Sequence, residues 1–125
     1  MTGNPENTRE KGNRGEREAA LYLAEMGYTI IKRNFKKSYG EVDIISSMGD
    51  TLIFSEVKTW THLDKTAMEH AINRKKIRKI VKTSKAFLME NPAFYGFHIR
   101  YDILFNRGES GILHIPGAFT ENETG

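Results

Sequence analysis

No cysteine occurs among the 125 residues. That excludes a disulfide framework, a thiolate zinc site and a cysteine nucleophile, and a reducing cytoplasm is the expected compartment. No apolar run approaches the length needed to cross a bilayer, and the N-terminus is polar, without a signal-like segment, so no membrane partner is expected. A glycine-rich phosphate loop, a Ser-His-Asp arrangement and a nucleotide-binding fingerprint are also missing. No internal repeat, low-complexity segment or domain-splitting linker is visible, and the length suits one domain with a real core.

What is present is an ordinary globular composition, 38% hydrophobic and 28% charged, with seven Phe, five Tyr and one Trp. The net charge of +3 and an isoelectric point of about 9.2 are a modest basic bias. Its distribution is more informative. From Arg74 to Lys85 the chain reads RKKIRKIVKTSK, seven basic residues and no acid. A basic face of that density is an electrostatic footprint for a polyanion, or a solvated helix face.

Residues 1–8 read as a flexible N-terminus, 9–116 as a single domain and 117–125 as a polar tail. Arg9 to Met26 is helical in character, with Ala20, Leu23 and Ala24 on one side and Gly27 where a helix C-terminus favours a left-handed residue. Tyr28 to Asn34 predicts a first strand, Phe35 to Tyr39 a basic link, Val42 to Ser46 a second strand, and Thr51 to Thr59 a third after a Met48-Gly49-Asp50 turn. Trp60 to Lys65 reads as a loop. A long helix is then expected from about Thr66 to Met89, stopped near Asn91-Pro92. Its inner stripe is Ile77, Ile80, Val81, Ser84 and Leu88, which leaves Lys75, Lys79, Lys82 and Lys85 toward solvent. Phe97 to Phe105 and Gly111 to Ile115 alternate like two more strands, with Gly108 in the turn between them. Helix, three strands, helix, two strands is an α/β arrangement around a mixed sheet, the short first hairpin antiparallel and the long crossover favouring a parallel return.

The strands carry charge where core is expected. In IFSEVK, residues 53–58, Phe54, Glu56 and Lys58 share one side. In the preceding strand Asp43 points opposite to Val42 and Ile44, and apolar registration of the hairpin lets it approach Glu56. Two carboxylates held close in a partly buried place repel, and desolvation adds to the penalty. A divalent cation offsets both, and oxygen ligands specify a hard ion, Mg2+ or Mn2+. Lys58 then lies within reach of the same centre, where it can stabilise negative charge developing on phosphate or orient a water. A plain ion pair of Lys58 with an acid is the competing explanation. Glu16 points from the first helical turns toward the buried side; an acid favouring the positive helix N-terminus explains it equally well.

Asp43, twelve intervening residues and then Glu56-Val57-Lys58 resembles the Asp…(Asp/Glu)-x-Lys signature of restriction-endonuclease-like nucleases. The longer series GNRGE at 12–16, MGY at 26–28, RN at 33–34, GEVDII at 40–45, FSEVK at 54–58 and RYDIL at 100–104 resembles the YraN-type family of predicted endonucleases, similar in turn to archaeal Holliday junction resolvases. The resemblance runs from Gly12 to Leu104. It implies a restriction-endonuclease-like fold, a central mixed sheet flanked by helices, and Mg2+- or Mn2+-dependent hydrolysis of phosphodiester bonds in DNA, favoured over RNA, including branched or structured DNA. It also implies that Asp43 and Glu56 bind metal, that Val57 lends its backbone carbonyl, that Glu16 joins the metal site and that Lys58 is the catalytic lysine. Glu41 belongs to the Gly-Glu-x-Asp motif with its role open. Resolvase-like relatives act as dimers, so a homodimer is expected. Two departures stand out. Val42 occupies the place of a proline, and the Gln-x-x-x-Tyr element of some related nucleases is absent, with Glu69, His70 and Asn73 in the corresponding region.

Arg33, Lys36 and Lys37 beside the site, and Lys75, Lys79 and Lys82 on the long helix, are expected to meet backbone phosphates. His62 and His70 are weighed as phosphate contacts or proton shuttles against idle surface histidines. Trp60 is weighed as a base-stacking platform against a cap on the core. His98 and His114 read as structural, and Arg100 and Asp102 as a pair on one strand. A non-catalytic nucleic-acid-binding module of the same fold is the alternative function, and a protein-interaction domain a third.

Overall fold

In the computed structural model, which describes residues 8–59 and 73–124, the first helix, α1 (Thr8–Glu25), turns Gly15, Ala19 and Leu23 inward at four-residue spacing. It ends in a Schellman arrangement. Gly27 takes φ 99°, its N–H donates to the Ala24 carbonyl, and the Tyr28 N–H donates to that of Leu23. Three strands follow as a meander: β1 (Thr29–Lys37), β2 (Gly40–Met48) and β3 (Thr51–Thr59). Helix α2 (Arg74–Glu90) crosses to β4 (His98–Asn106), which pairs in parallel with β3, and β5 (Ile112–Phe119) closes the sheet against β4. The sheet order is β1-β2-β3-β4-β5, antiparallel apart from the β3–β4 step. The expected α/β architecture and parallel return are therefore present.

The core lies on both faces of this sheet. Under α2, Ile77, Ile80, Val81 and Phe87 pack on Phe35, Ile45, Phe54, Tyr101 and Phe119. Under α1, a smaller group joins Ala19, Ala20 and Leu23 to Ile44 and Leu104. Burying two such faces is the main source of stability. No described helix is long and apolar enough to cross a membrane.

Several boundaries differ from expectation for identifiable reasons. Residues 35–37 belong to β1 rather than to a link, because Phe35 is buried edge-on against Phe87, with ring centroids 5.3 Å apart. Residues 117–119 belong to β5 rather than to a polar tail, because Phe119 stacks on Tyr101 at 5.2 Å in the core. The long helix does not run through residue 73. Asn73 is extended, at φ −122° and ψ 172°, and its side chain accepts the Lys76 N–H, so a new helix starts at Arg74. The segment 66–72, expected to be helical, lies outside the described residues. At the other end Asn91 caps α2, donating its side-chain amide to the Phe87 carbonyl, and Pro92 follows.

One glycine sets the distance between α2 and the sheet. A Cβ on Gly40 would stand 2.6 Å from Thr83 Oγ1 and 3.0 Å from the Lys79 carbonyl oxygen. The nearest atom is a hydroxyl held on the Lys79 carbonyl and the next is that carbonyl itself, so neither can give way cheaply. Gly40→Val is expected to lower the unfolding free energy by about 1–3 kcal/mol through overpacking. Urea denaturation of the two proteins checks this; equal midpoints would show that α2 has room to retreat.

Candidate active site

The ladder between β2 and β3 stops at the Ile44–Ser55 pair. At the next positions Asp43 and Glu56 stand where the strands part, only 6% and 7% exposed. The Val57 N–H donates to Asp43 Oδ2 at 2.8 Å, so a carboxylate, rather than a strand carbonyl, takes this backbone donor. Opposite Asp43 on β1, Asn34 adopts φ 55°, between the registered pairs Arg33–Ile44 and Phe35–Val42. Asparagine tolerates that left-handed conformation better than most residues. The kink breaks the alternation of β2. Val42 joins the core under α2 and Ile44 the core under α1, so the two do not share the side opposite Asp43 as expected.

Glu56 and Lys58 do share a face, and Lys58 Nζ lies 3.2 Å from Glu56 Oε1. A second ammonium arrives from α2: Lys76 Nζ is 2.8 Å from the same oxygen. The Asn73 cap holds the Lys76 backbone, and Gly40 lets the helix come close enough for its side chain to reach. Burial, then the neighbouring Lys76, pulls the Lys58 pKa down. Burial is the largest influence on Lys76 too and pulls it down. Hydrogen bonding to Glu56 and Lys58 and the charges of Glu56 and Asp43 together outweigh it, and the net shift is upward. Asp43 is pushed up to about 8, first by burial and then by the charge of Glu56, against the Val57 hydrogen bond.

Glu16 comes from α1, on the other side of the sheet. Its pKa is raised by burial and next by Glu41, with Arg33 opposing. Arg33 Nη2 is 3.9 Å from Glu16 Oε1, beyond hydrogen-bond reach, and that buried oxygen has no hydrogen-bond partner among the described residues. Gly15 allows α1 to approach this closely, since a Cβ there would lie 3.0 Å from Thr59 Oγ1 while Asn106 donates to the Gly15 carbonyl. Glu41 lines two openings: a cleft of about 640 Å³ shared with Glu16 and Arg33, and a smaller one of about 150 Å³ shared with Glu56 and Lys76. It raises the pKa of both Glu16 and Asp43. The carboxylate oxygens of Asp43, Glu56 and Glu16 suit a hard divalent cation in donor type, although Glu56 is already paired with two ammonium groups. Among the described residues, however, no three acidic or histidine side chains gather closely enough to form a ready-made metal site.

The model of the family described as "Uncharacterised protein family UPF0102" matches residues 15–105. The chain belongs to UPF0102. This is the YraN-type family that the sequence motifs resemble. UPF0102 proteins from Syntrophomonas wolfei and Persephonella marina are 39% and 37% identical to it, over 89% and 87% of this chain and 98% and 92% of theirs. One from Treponema pallidum is 33% identical over 94% of this chain and 98% of its own length. The UPF0102 match spans all the acids and lysines described above and both halves of the Arg100–Asp102 pair.

Within this UPF0102 chain the other expected site residues are dispersed. Val57 turns its side chain to the core under α1 and gives its N–H to Asp43. Lys36 lies 3.5 Å from Glu41, and Lys37 pairs with Glu90. Lys75, Lys79 and Lys82 are exposed on α2. Trp60, His62, Glu69 and His70 lie outside the described residues, and Asn73 is the helix cap. His98 is exposed near Asp50 rather than structural, because β4 is only beginning there. His114 is structural: its Nε2 is 2.7 Å from Asp102 Oδ2. Asp102, fully buried, also receives two bonds from Arg100, at 2.9 and 2.8 Å, and one from the Gly117 N–H. Sequence reasoning missed Lys76. Its signal is periodicity, since Lys76, Ile80, Thr83 and Phe87 recur at helical spacing and place the lysine at the head of the inward stripe.

Proposed function

We propose that this protein is a Mg2+- or Mn2+-dependent nuclease of restriction-endonuclease-like fold that hydrolyses phosphodiester bonds in DNA, branched DNA included. The observation that carries the reading is the meeting of two buried acids, Asp43 and Glu56, with two ammonium groups where β2 and β3 part. The order of helix, three-stranded meander, helix and parallel return strand supports the fold assignment. Asp43 and Glu56, with Glu16, would hold the ion. When bound, the cation supplies a water of lowered pKa and neutralises charge at phosphate.

This chain's own groups do the rest. Lys58 presents an ammonium to a non-bridging phosphate oxygen, where charge accumulates. Lys76 keeps Glu56 oriented from the helix side. Glu41 and Glu16 sustain the negative potential that draws a cation in. Cations on α2 engage the sugar-phosphate backbone. The second reading, a non-cleaving nucleic-acid-binding module, is favoured by the lack of three gathered ligands among the described residues.

The test is incubation of purified protein with Mg2+ or Mn2+ and duplex, single-stranded and branched DNA and RNA, beside Asp43→Ala and Lys58→Ala. Cleavage is expected from the wild type, with a loss of about a hundredfold or more in each variant. Equal cleavage by all three proteins would end the mechanism. Salt-sensitive binding without turnover on every substrate would establish the second reading.

A further inference from the structure

Between the β1–β2 turn and the outer face of α2 runs a groove of about 500 Å³, lined by Ser38, Tyr39 and Gly40 on one side and Lys75, Arg78, Lys79 and Lys82 on the other. Among the described residues four cations line it and no acid. Four neighbouring lysines have carboxylate partners: Lys36 with Glu41, Lys37 with Glu90, Lys76 with Glu56 and Lys85 with Glu121. No ion pair joins Lys75, Arg78, Lys79 or Lys82 to an acid among the described residues.

Lys82 is fixed in another way. Its Nζ sits 4.3 Å from the centroid of the Tyr39 ring. A ring face positions an ammonium without cancelling its charge. Four unneutralised cations on adjoining helical turns repel one another, and an anion relieves that repulsion. From Lys75 to Lys82 the helix rises about 10 Å at 1.5 Å per residue. That length matches roughly three phosphates of one strand at 3.4 Å along the axis.

The groove also leads somewhere. Gly40 and Lys79 belong both to it and to the small opening that holds Glu56 and Lys76. At the junction Gly40 packs directly against α2, with no Cβ to hold it off Thr83 and the Lys79 carbonyl.

We propose that this groove is the track for the phosphodiester backbone of one nucleic-acid strand, which it leads past Gly40 to Glu56, with Tyr39 holding the Lys82 ammonium that grips a phosphate. Arg78 is the second anchor. The proposal rests on the nuclease reading only in taking nucleic acid as the ligand.

Fluorescence anisotropy with labelled duplex and single-stranded oligonucleotides, in EDTA across a NaCl series, separates binding from cleavage. For the wild type on duplex, log K is expected to fall with log [NaCl] at a slope of about −3, from roughly 0.9 for each of about three neutralised phosphates. The double variant Arg78→Gln/Lys82→Gln should reduce that slope by about two and weaken binding tenfold or more. Tyr39→Ala should weaken binding severalfold and Tyr39→Phe should not, since the ring face is retained. Lys85→Gln, outside the groove on the same helix, should bind as the wild type does. Wild-type affinity and slope in the groove double variant would overturn the proposal, as would a wild type that binds acidic polypeptide but no nucleic acid. Binding through the groove without cleavage of any substrate would end the nuclease reading alone. Cleavage that survives in a double variant with unchanged binding would end this proposal alone.

Discussion

In the absence of divalent cations, Asp43→Asn is expected to raise the melting temperature at about pH 9 and to leave it nearly unchanged below about pH 4. The folded protein holds the Asp43 proton to about 8, against 3.8 for an unperturbed aspartate. Asp43 therefore contributes its stability in full below the unfolded value, and that contribution is lost as pH rises through the folded one. Above it the wild type must keep a buried carboxylate ionised beside Glu56. Asparagine removes that charge, and its side-chain oxygen can still accept the Val57 N–H. The whole shift corresponds to about 6 kcal/mol at 1.4 kcal/mol per unit. Entering water and moving neighbours reduce what is realised to roughly 2–3 kcal/mol, on the order of 10 °C for a chain of this size. Calorimetric melting of both proteins between these pH limits checks it. A difference that does not change with pH would show that Asp43 carries no such penalty. Added Mg2+ or Mn2+ should then stabilise the wild type and not the variant, because only the wild type gains a ligand charge.

Arg100→Leu is expected to destabilise the protein by about 3–5 kcal/mol, the usual effect of stranding a buried charge. Asp102 has no solvent exposure, and Arg100 makes two of its four hydrogen bonds. Burial alone would raise the Asp102 pKa, yet the bonds from His114, Arg100 and Gly117 outweigh it and the net shift is downward. Arg100 also donates to the Tyr28 hydroxyl at 2.8 Å, so the pair ties the start of β1 to β4 and β5. Urea denaturation measures the loss. The double variant Arg100→Leu/Asp102→Leu should recover much of it, since no uncompensated charge then remains. A single-variant loss under about 1 kcal/mol would show that water or His114 replaces the guanidinium readily.

Sequence alone carried the meander, the crossover and the acids because each has a local pattern. Alternation gave β3 to the residue, and Gly49 and Gly27 marked the turns that follow β2 and α1. The Arg100–Asp102 pairing followed from two-residue spacing on one strand. What escaped is set by contacts between distant elements. Phe35 hides in a basic run until Phe87 is brought over it, and Phe119 hides in a polar tail until Tyr101 is beside it. Strict alternation failed at Asp43 because a left-handed Asn34 on the neighbouring strand is invisible from β2 itself. Lys76 looked like one more solvated cation in a basic run, since only the Asn73 cap and the Gly40 contact turn it toward Glu56. The acids beside Lys36 and Lys37 were equally hidden, because Glu41 and Glu90 come from other parts of the chain.

Both helices approach the sheet at a glycine, α1 through Gly15 and α2 against Gly40. The span from Glu16 to Lys76 is thus gauged where a helix or strand backbone without a Cβ meets short polar side chains and one carbonyl, whereas large side chains fill the layers farther along. Enlarging or trimming those interior residues is expected to alter how firmly the fold holds together while leaving the width of the opening between Glu16 and Lys76 nearly constant. Dimensions and durability are governed by separate parts of the polypeptide.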